Sequence, residues 1–223
     1  MRLCSAAESQ ATIMTSHVSF DHAGPSKAAT YLRDDQRFVL HGVPWETYVA
    51  LRDTLDERSG AGLRMTYLKG TLELMSPSRS HEDYKTIIAR LVEAYAEEND
   101  LDLRGFGSTT FRRKAKKRGL EPDECYSLGR LGKRPDIAIE VIVSAGYVDK
   151  LAVYQGLEVP EVWRWEDGKL TVHRLTDHGY EQRSRSEELP GLDLDHLAGF
   201  VVLDANQTQQ VKAYRRSLRA QGA

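Results

Sequence analysis

The chain is poor in cysteine: of 223 residues only Cys4 and Cys125 are cysteines. Two are too few for a disulfide framework or a Cys-based zinc site, and a reducing compartment is the simpler setting. Long apolar runs are missing as well. Nothing approaches the roughly 20 residues a membrane span requires, and MRLCSAAESQ lacks the apolar stretch of a secretory signal. The expected location is therefore the cytoplasm, with no membrane partner. Charge imbalance is absent too: 31 Lys and Arg face 33 Asp and Glu, a formal net charge of −2, so no global field marks a polyanion as partner. No internal repeat, low-complexity tract or linker interrupts the chain. What is present is ordinary for a globular protein, 40% hydrophobic and 29% charged, which excludes wholesale disorder. The length suffices to bury a core without staples.

Residues 1–30 mix small, polar and isolated apolar side chains without a period and read as a disordered lead, leaving 31–223 as a single domain. PWETYVALRDTLDER, from Pro44, has proline at a first helical position and apolar side chains at Trp45, Tyr48, Val49 and Leu55, which predicts a helix stopped by Gly60. LRMTYLKGTLELMSP predicts two strands around Lys69-Gly70, with Leu72 and Leu74 on one face and Thr71, Glu73 and Met75 on the other. In SHEDYKTIIARLVEAYAEEND the positions Tyr84, Ile87, Ile88, Leu91, Val92 and Tyr95 fall at helical spacing. Ser80 with Asp83 resembles a capping box, which puts His81 and Glu82 in the first turn.

LDLRGFGSTTFRR and EPDECYSL read as strands joined by a basic segment. RPDIAIEVIV is the strongest strand: Ile137, Ile139, Val141 and Val143 alternate with Asp136, Ala138, Glu140 and Ile142, and apolar or small residues on both faces mark a central position. VDKLAVYQGL predicts a short helix ended by Gly156 and Pro160. Asp167-Gly168 suits a type I′ hairpin, residues 176–200 are polar and turn-rich, and a last helix follows a cap at Asp204. Together these predict an α/β fold: a mixed central β-sheet flanked by helices, with a C-terminal β-hairpin and helix.

Against this background the stretch Glu121–Lys150 is anomalous, because it sets Glu121, Asp123, Asp136, Glu140 and Lys150 in or beside apolar strand. Buried carboxylates are costly unless compensated, and a divalent cation is a common compensator. Phosphodiester hydrolysis needs charge neutralisation at the phosphate, an activated water and a stabilised leaving group, and carboxylate-held Mg²⁺ serves all three. Asp123 and Glu140 lie at the separation expected if adjacent strands bring them side by side. Lys150 could orient or activate water, or balance transition-state charge. Immediately upstream, Arg112, Arg113, Lys114, Lys116, Lys117 and Arg118 form a basic run that suits a phosphate backbone.

The succession YLKGTLELMSPSRSH, GLEPDECYSL, RPDIAIEVIVS and DKLAVYQGLEVPEVW resembles the Uma-type restriction endonucleases of bacteria, within the PD-(D/E)XK nuclease superfamily, over Val43–Leu175. The resemblance implies a restriction-endonuclease-like core with Asp123 as the aspartate of the PD element and Glu140 as the second acid, together binding Mg²⁺ or Mn²⁺. Ile142 stands where the superfamily pattern has lysine, and Lys150 matches the position to which this family moves it. Glu73 and His81 fall in family motifs and are further site candidates. The implied activity is metal-dependent endonucleolytic cleavage of nucleic acid, DNA in the first instance, and a homodimer suits cutting two strands.

Plain alternatives stand beside these readings. Asp123 and Glu140 could pair with arginine or backbone; Lys150 could be solvated; Asp136 could cap a turn; Glu73, Glu121 and His81 could be structural. The basic run could be a solvated hairpin tip, and Trp163 and Trp165 read as core rather than as base-stacking platforms. A different class of function is a nucleic-acid-binding module whose nuclease site has decayed.

Overall fold

The computed structural model describes residues 34–57, 62–107, 109–129 and 132–221, all within one compact unit that spans 31–223. The lead expected to be disordered lies outside the described residues. Five strands form an antiparallel sheet: β1 (Gln36–Leu40), β2 (Arg64–Leu68), β3 (Thr71–Ser76), β5 (Phe111–Arg113) and β6 (Arg118–Leu120), in the order β1-β3-β2-β6-β5. Six form a second, mixed sheet: β4 (Leu103–Gly105), β7 (Glu124–Leu128), β8 (Ile137–Ile142), β9 (Glu161–Glu166), β10 (Lys169–Thr176) and β11 (Gly179–Arg183), in the order β11-β10-β9-β8-β7-β4. Among the described strands only β8 and β9 pair in parallel, because α3 (Lys150–Leu157) carries the chain between them as a βαβ unit. The α/β class stands, with the strands divided between two sheets rather than gathered in one.

Three cores fix the layers. Along α2 (Arg79–Glu98) a helical stripe of Ile87, Ile88, Leu91, Val92 and Tyr95 packs on the face of the mixed sheet that carries Ile137, Ile139, Val141, Trp163 and Trp165. Leu197 of α4 (Leu194–Ala198) and Tyr214 of α5 (Gln207–Gln221) close the same core. The opposite face, with Cys125, Ala138 and Val162, packs on Val153 and Tyr154 of α3, which also meets Leu120 of the antiparallel sheet. α3 is therefore enclosed between the two sheets. On the far side of the antiparallel sheet, Tyr48 of α1 (Trp45–Glu57) stacks on Tyr67 and Trp45 meets that ring edge-on. The approach is close enough that Gly119 is required, since a Cβ there would run into the Tyr48 ring.

Local chemistry explains where sequence and structure differ. α2 starts two residues earlier than a Ser80 cap would set it, because Ser78 Oγ accepts from His81 N at 3.2 Å. LDLRGFGSTTFRR is not one strand: β4 joins the mixed sheet and β5 the antiparallel one. Between 176 and 200, β11 and α4 form where only turns were expected. β11 is charged and exposed, and its ladder to β10 rather than apolar alternation defines it. α5 begins at Gln207, with Asn206 Oδ1 accepting from Gln209 N at 3.1 Å, and Asp204 sits outside the helix at φ 62°. The Asp167-Gly168 turn forms with both residues at positive φ, as type I′ requires.

Candidate active site

Asp123 and Glu140 come together because β7 and β8 pair antiparallel. The ladder sets Cys125 against Ala138 and Glu124 against Ile139, so one step further Asp123 falls opposite Glu140, on the α3 side of the sheet. Both are buried. Asp123 Oδ2 accepts from Val141 N at 2.8 Å. Its Oδ1 lies 2.9 Å from His81 Nε2, an ion contact too poorly aligned for a hydrogen bond, which leaves both atoms without one. Glu140 is held from α3: Lys150 Nζ donates to Oε2 and the Tyr154 hydroxyl to Oε1. Lys150 and Tyr154 are i, i+4 neighbours and share a helix face. The amine that Ile142 cannot supply thus reaches Glu140 from the helix.

Glu73 and His81 belong to a buried chain of charges that ends at Asp123. Glu73 Oε1 accepts from Arg37 Nη1 at 2.7 Å. Arg37 Nη2 then donates to Asp35 Oδ2 at 3.0 Å and to the Ser144 carbonyl at 3.2 Å. Asp35 accepts from Ser78 N at 2.9 Å and meets His81 Nδ1 at 3.2 Å. His81 passes the contact on to Asp123. The second oxygen of Glu73 accepts from Tyr147 N at 2.6 Å and Val148 N at 3.3 Å, so Glu73 clamps the loop that enters α3 and carries Lys150. Neither Glu73 oxygen is free to act as a reagent.

The electrostatics follow from this enclosure. Burial works against the charge on Asp123, but His81 and Lys150 outweigh it and hold the carboxyl well below the usual range. Burial pushes Glu140 up, opposed by Lys150 and reinforced by the like charge of Asp123. For Lys150 burial disfavours the ammonium, and Glu140 with Asp123 more than restores it, raising its pKa. His81 is likewise opposed by burial yet pushed up to about 9 by Asp123 and Asp35. A cleft of about 330 Å³ opens over this cluster, lined by Glu140, Lys150, Arg37, Arg164 and the 144–149 loop.

Other sequence candidates are placed elsewhere. The basic run forms the β5–β6 hairpin and the 3₁₀ turn Lys114–Lys116 at its tip. Arg112 pairs with Asp53 and Arg113 with Glu158, both at 2.7 Å, and Lys114 lies 3.7 Å from Glu46; Lys116 and Lys117 are exposed. Arg113 meets the C-terminal end of α3 at Gly156, some 9 Å along the helix from Lys150 at about 1.5 Å per residue. Glu121 pairs with Arg52. Asp136 accepts from Leu128 N at 2.9 Å, a turn role. Trp163 and Trp165 are core, His173 is half-buried and His178 exposed.

Sequence reasoning missed Asp35, Arg37 and Tyr154. Tyr154 was findable, being one turn from Lys150 on the same helix face. Asp35 and Arg37 left only a period-two trace at the start of β1, which says nothing of what they touch. For a metal, the available donors are the oxygens of Asp123 and Glu140, with Asp123 Oδ1 lacking a hydrogen-bond donor. Among the described residues no three His, Cys, Asp or Glu side chains gather into a ready cage.

Compared with curated proteins, the chain matches none. The family model described as "Uma2: Putative restriction endonuclease" matches residues 45–206, which spans α1, Asp123, Glu140, Lys150 and the β9–β10 hairpin. Asp35 and Arg37 fall outside the matched range. The chain belongs to the Uma2 family that this model describes.

Proposed function

We propose that this protein is a divalent-metal-dependent endonuclease that hydrolyses phosphodiester bonds of nucleic acid, DNA first, and that it works in the cytoplasm. The observation that carries the reading is that Lys150, from a helix, meets Glu140 at the floor of a cleft with Asp123 buried opposite Glu140 on the next strand. Asp123 and Glu140 fit Mg²⁺ or Mn²⁺: both offer hard oxygen donors, and Mg²⁺ binds through one or two carboxylates while keeping several waters. When bound, the ion would supply charge neutralisation at the phosphate and a water activated at neutral pH. The chain's own residues do the rest. His81 and Val141 N hold Asp123 ionised and oriented. Lys150 and Tyr154 fix the Glu140 carboxylate from both oxygens. The Lys150 ammonium, paired in the cleft, is positioned to stabilise charge that develops at phosphate. Glu73 sets where Lys150 stands by clamping the loop before α3. Lys116 and Lys117, with Arg112, Arg113 and Lys114 behind them, extend a basic edge along which nucleic acid can track. Two copies related by a two-fold axis would suit double-strand cutting.

The test is cleavage of supercoiled plasmid with Mg²⁺ or Mn²⁺ beside Asp123→Ala. Nicked and linear products from the wild type alone are expected, and equal cleavage by both rejects the site. The second reading, a decayed binding module, predicts salt-sensitive DNA binding that survives loss of both acids, with no metal uptake in calorimetry. The pairing of Lys150 with Glu140, and the buried Asp123 that interacts electrostatically with both, speak against decay, because an idle site has no reason to keep two buried acids and an amine together.

A further inference from the structure

The parallel pairing of β8 and β9 sets Arg164 directly beside Glu140. Side chains opposite one another in a ladder share a face, so Asp123, Glu140 and Arg164 form one row across three strands, on the α3 side. Arg164 lines the same 330 Å³ cleft as Glu140 and Lys150. Its neighbour on this face of β9, Val162, is buried against α3, so an arginine mid-strand here is not explained by packing.

Three cations line the cleft, and two are committed. Lys150 donates to Glu140. Arg37 is shared among Glu73, Asp35 and Ser144. Arg164 makes one side-chain contact among the described residues, to Glu166 at 3.3 Å, a half-exposed acid two residues along the same strand, and pairs of that kind contribute little. A planar guanidinium with uncommitted donors, beside two acids in a concave site, is suited to bidentate recognition of a phosphate.

We propose that Arg164 is a substrate-binding residue that takes the non-bridging oxygens of a backbone phosphate next to the bond being cut, with Glu166 as the exchangeable counter-ion it leaves when nucleic acid arrives. The proposal rests on the nuclease reading above. It deepens that reading by adding a specific phosphate contact on β9, remote in sequence from the basic hairpin.

The experiment measures binding of a short fluorescent DNA duplex across a salt series, with Ca²⁺ in place of Mg²⁺, and cleavage kinetics with Mg²⁺, for wild type, Arg164→Gln, Arg164→Lys, Glu166→Gln and Asp123→Ala. Arg164→Gln is expected to weaken binding about tenfold or more and to reduce the slope of log affinity against log salt by about one, the signature of one lost phosphate contact. Its cleavage loss should fall on KM more than on kcat. Arg164→Lys keeps the slope and loses only part of the affinity. Glu166→Gln tightens binding severalfold, and that gain disappears in the Arg164→Gln background. A salt slope and affinity unchanged in Arg164→Gln, with Asp123→Ala inactive, overturns this proposal and leaves the nuclease reading in place. Should Arg164→Gln fail to fold, a Glu166→Gln protein that binds no more tightly overturns it instead. Undiminished cleavage by Asp123→Ala overturns both.

Discussion

Glu140 on β8 and Glu161 on β9 are buried acids on neighbouring strands, and their charges are met in opposite ways. Glu161 faces the α2 core and is saturated by fixed donors: Trp163 Nε1 at 2.9 Å and Ser186 Oγ at 2.7 Å on one oxygen, Glu187 N at 2.6 Å and Glu188 N at 3.2 Å on the other. It staples the segment after β11 to the sheet. Glu140 faces the other way, onto a cleft, held by two side chains of one helix and set beside a second acid, Asp123. A purely structural acid gains nothing from a like-charged neighbour, which raises its own pKa. Burial alone therefore does not mark a functional carboxylate. The kind of donor, and the company of a second acid at an opening, does.

The largest test of this contrast is catalytic. Replacing Asp123 or Glu140 by Ala should cut plasmid cleavage by about 10²–10³-fold or more, whereas Glu161→Ala, assayed at a temperature where it remains folded, should cleave at close to the wild-type rate. Comparable losses in all three would erase the distinction. Next in size is the stability arm. Glu161→Ala strands the Trp163, Ser186 and backbone donors, at a cost of about 3 kcal/mol, and its thermal midpoint should fall by roughly 6–12 °C on that basis. A midpoint within a degree or two of wild type would mean that the staple does not hold the fold.

A smaller effect is expected from Tyr154→Phe, which keeps the ring packed against the α3 core and removes one donor from Glu140. One hydrogen bond to a charged group contributes about 1.5–3 kcal/mol to stability, so the midpoint should fall by about 3–12 °C, and cleavage, assayed where the variant remains folded, should drop about tenfold. Loss of folding in this variant would instead place Tyr154 with the structural set. The smallest effect lies on the surface between α2 and α5. The Glu98 carboxyl is held down at about 2 by the guanidinium groups of Arg219 and Arg215. Its folded value is depressed, so its contribution is present above the unfolded value near 4.5 and is lost as pH falls through about 2. Arg219→Ala should flatten the acid limb of a melting-temperature profile in that window, by lowering the midpoint slightly above about pH 4.5 and leaving it unchanged near pH 2. An identical acid limb would show that the pair contributes nothing.

Much of the scaffold could be read along the chain. α1, α2, α3, β8 and the β9–β10 hairpin each carry a strong local signal, whether a 3.6-residue stripe, a two-faced apolar strand or an Asp-Gly turn. β6 and α4 did not, since a three-residue strand and a five-residue helix are defined by what they pair with and pack on. Of the site, Asp123, Glu140 and Lys150 stood out because charges in apolar strand conflict with burial, and a conflict shows in a sequence. Glu73 and His81 stood out by motif, but their contacts did not: one clamps a loop and the other bridges Asp35 to Asp123. Asp35, Arg37 and Arg164 were silent, because a polar residue at a strand edge or in a hairpin looks the same whether or not it reaches a site.

The sequence by itself therefore determined the α/β class, the family, and two acids and an amine in unusual settings. Periodicity and burial conflict are properties of neighbours along the chain, and they survive without knowledge of the fold. Only the tertiary structure decided that the strands split into two sheets with α3 enclosed between them. The same packing brought Lys150 and Tyr154 onto one carboxylate, and it set Glu140 at a cleft and Glu161 against the α2 core. Those outcomes depend on which face of a strand meets a cleft and which meets a core, and that is set by elements far apart in the chain.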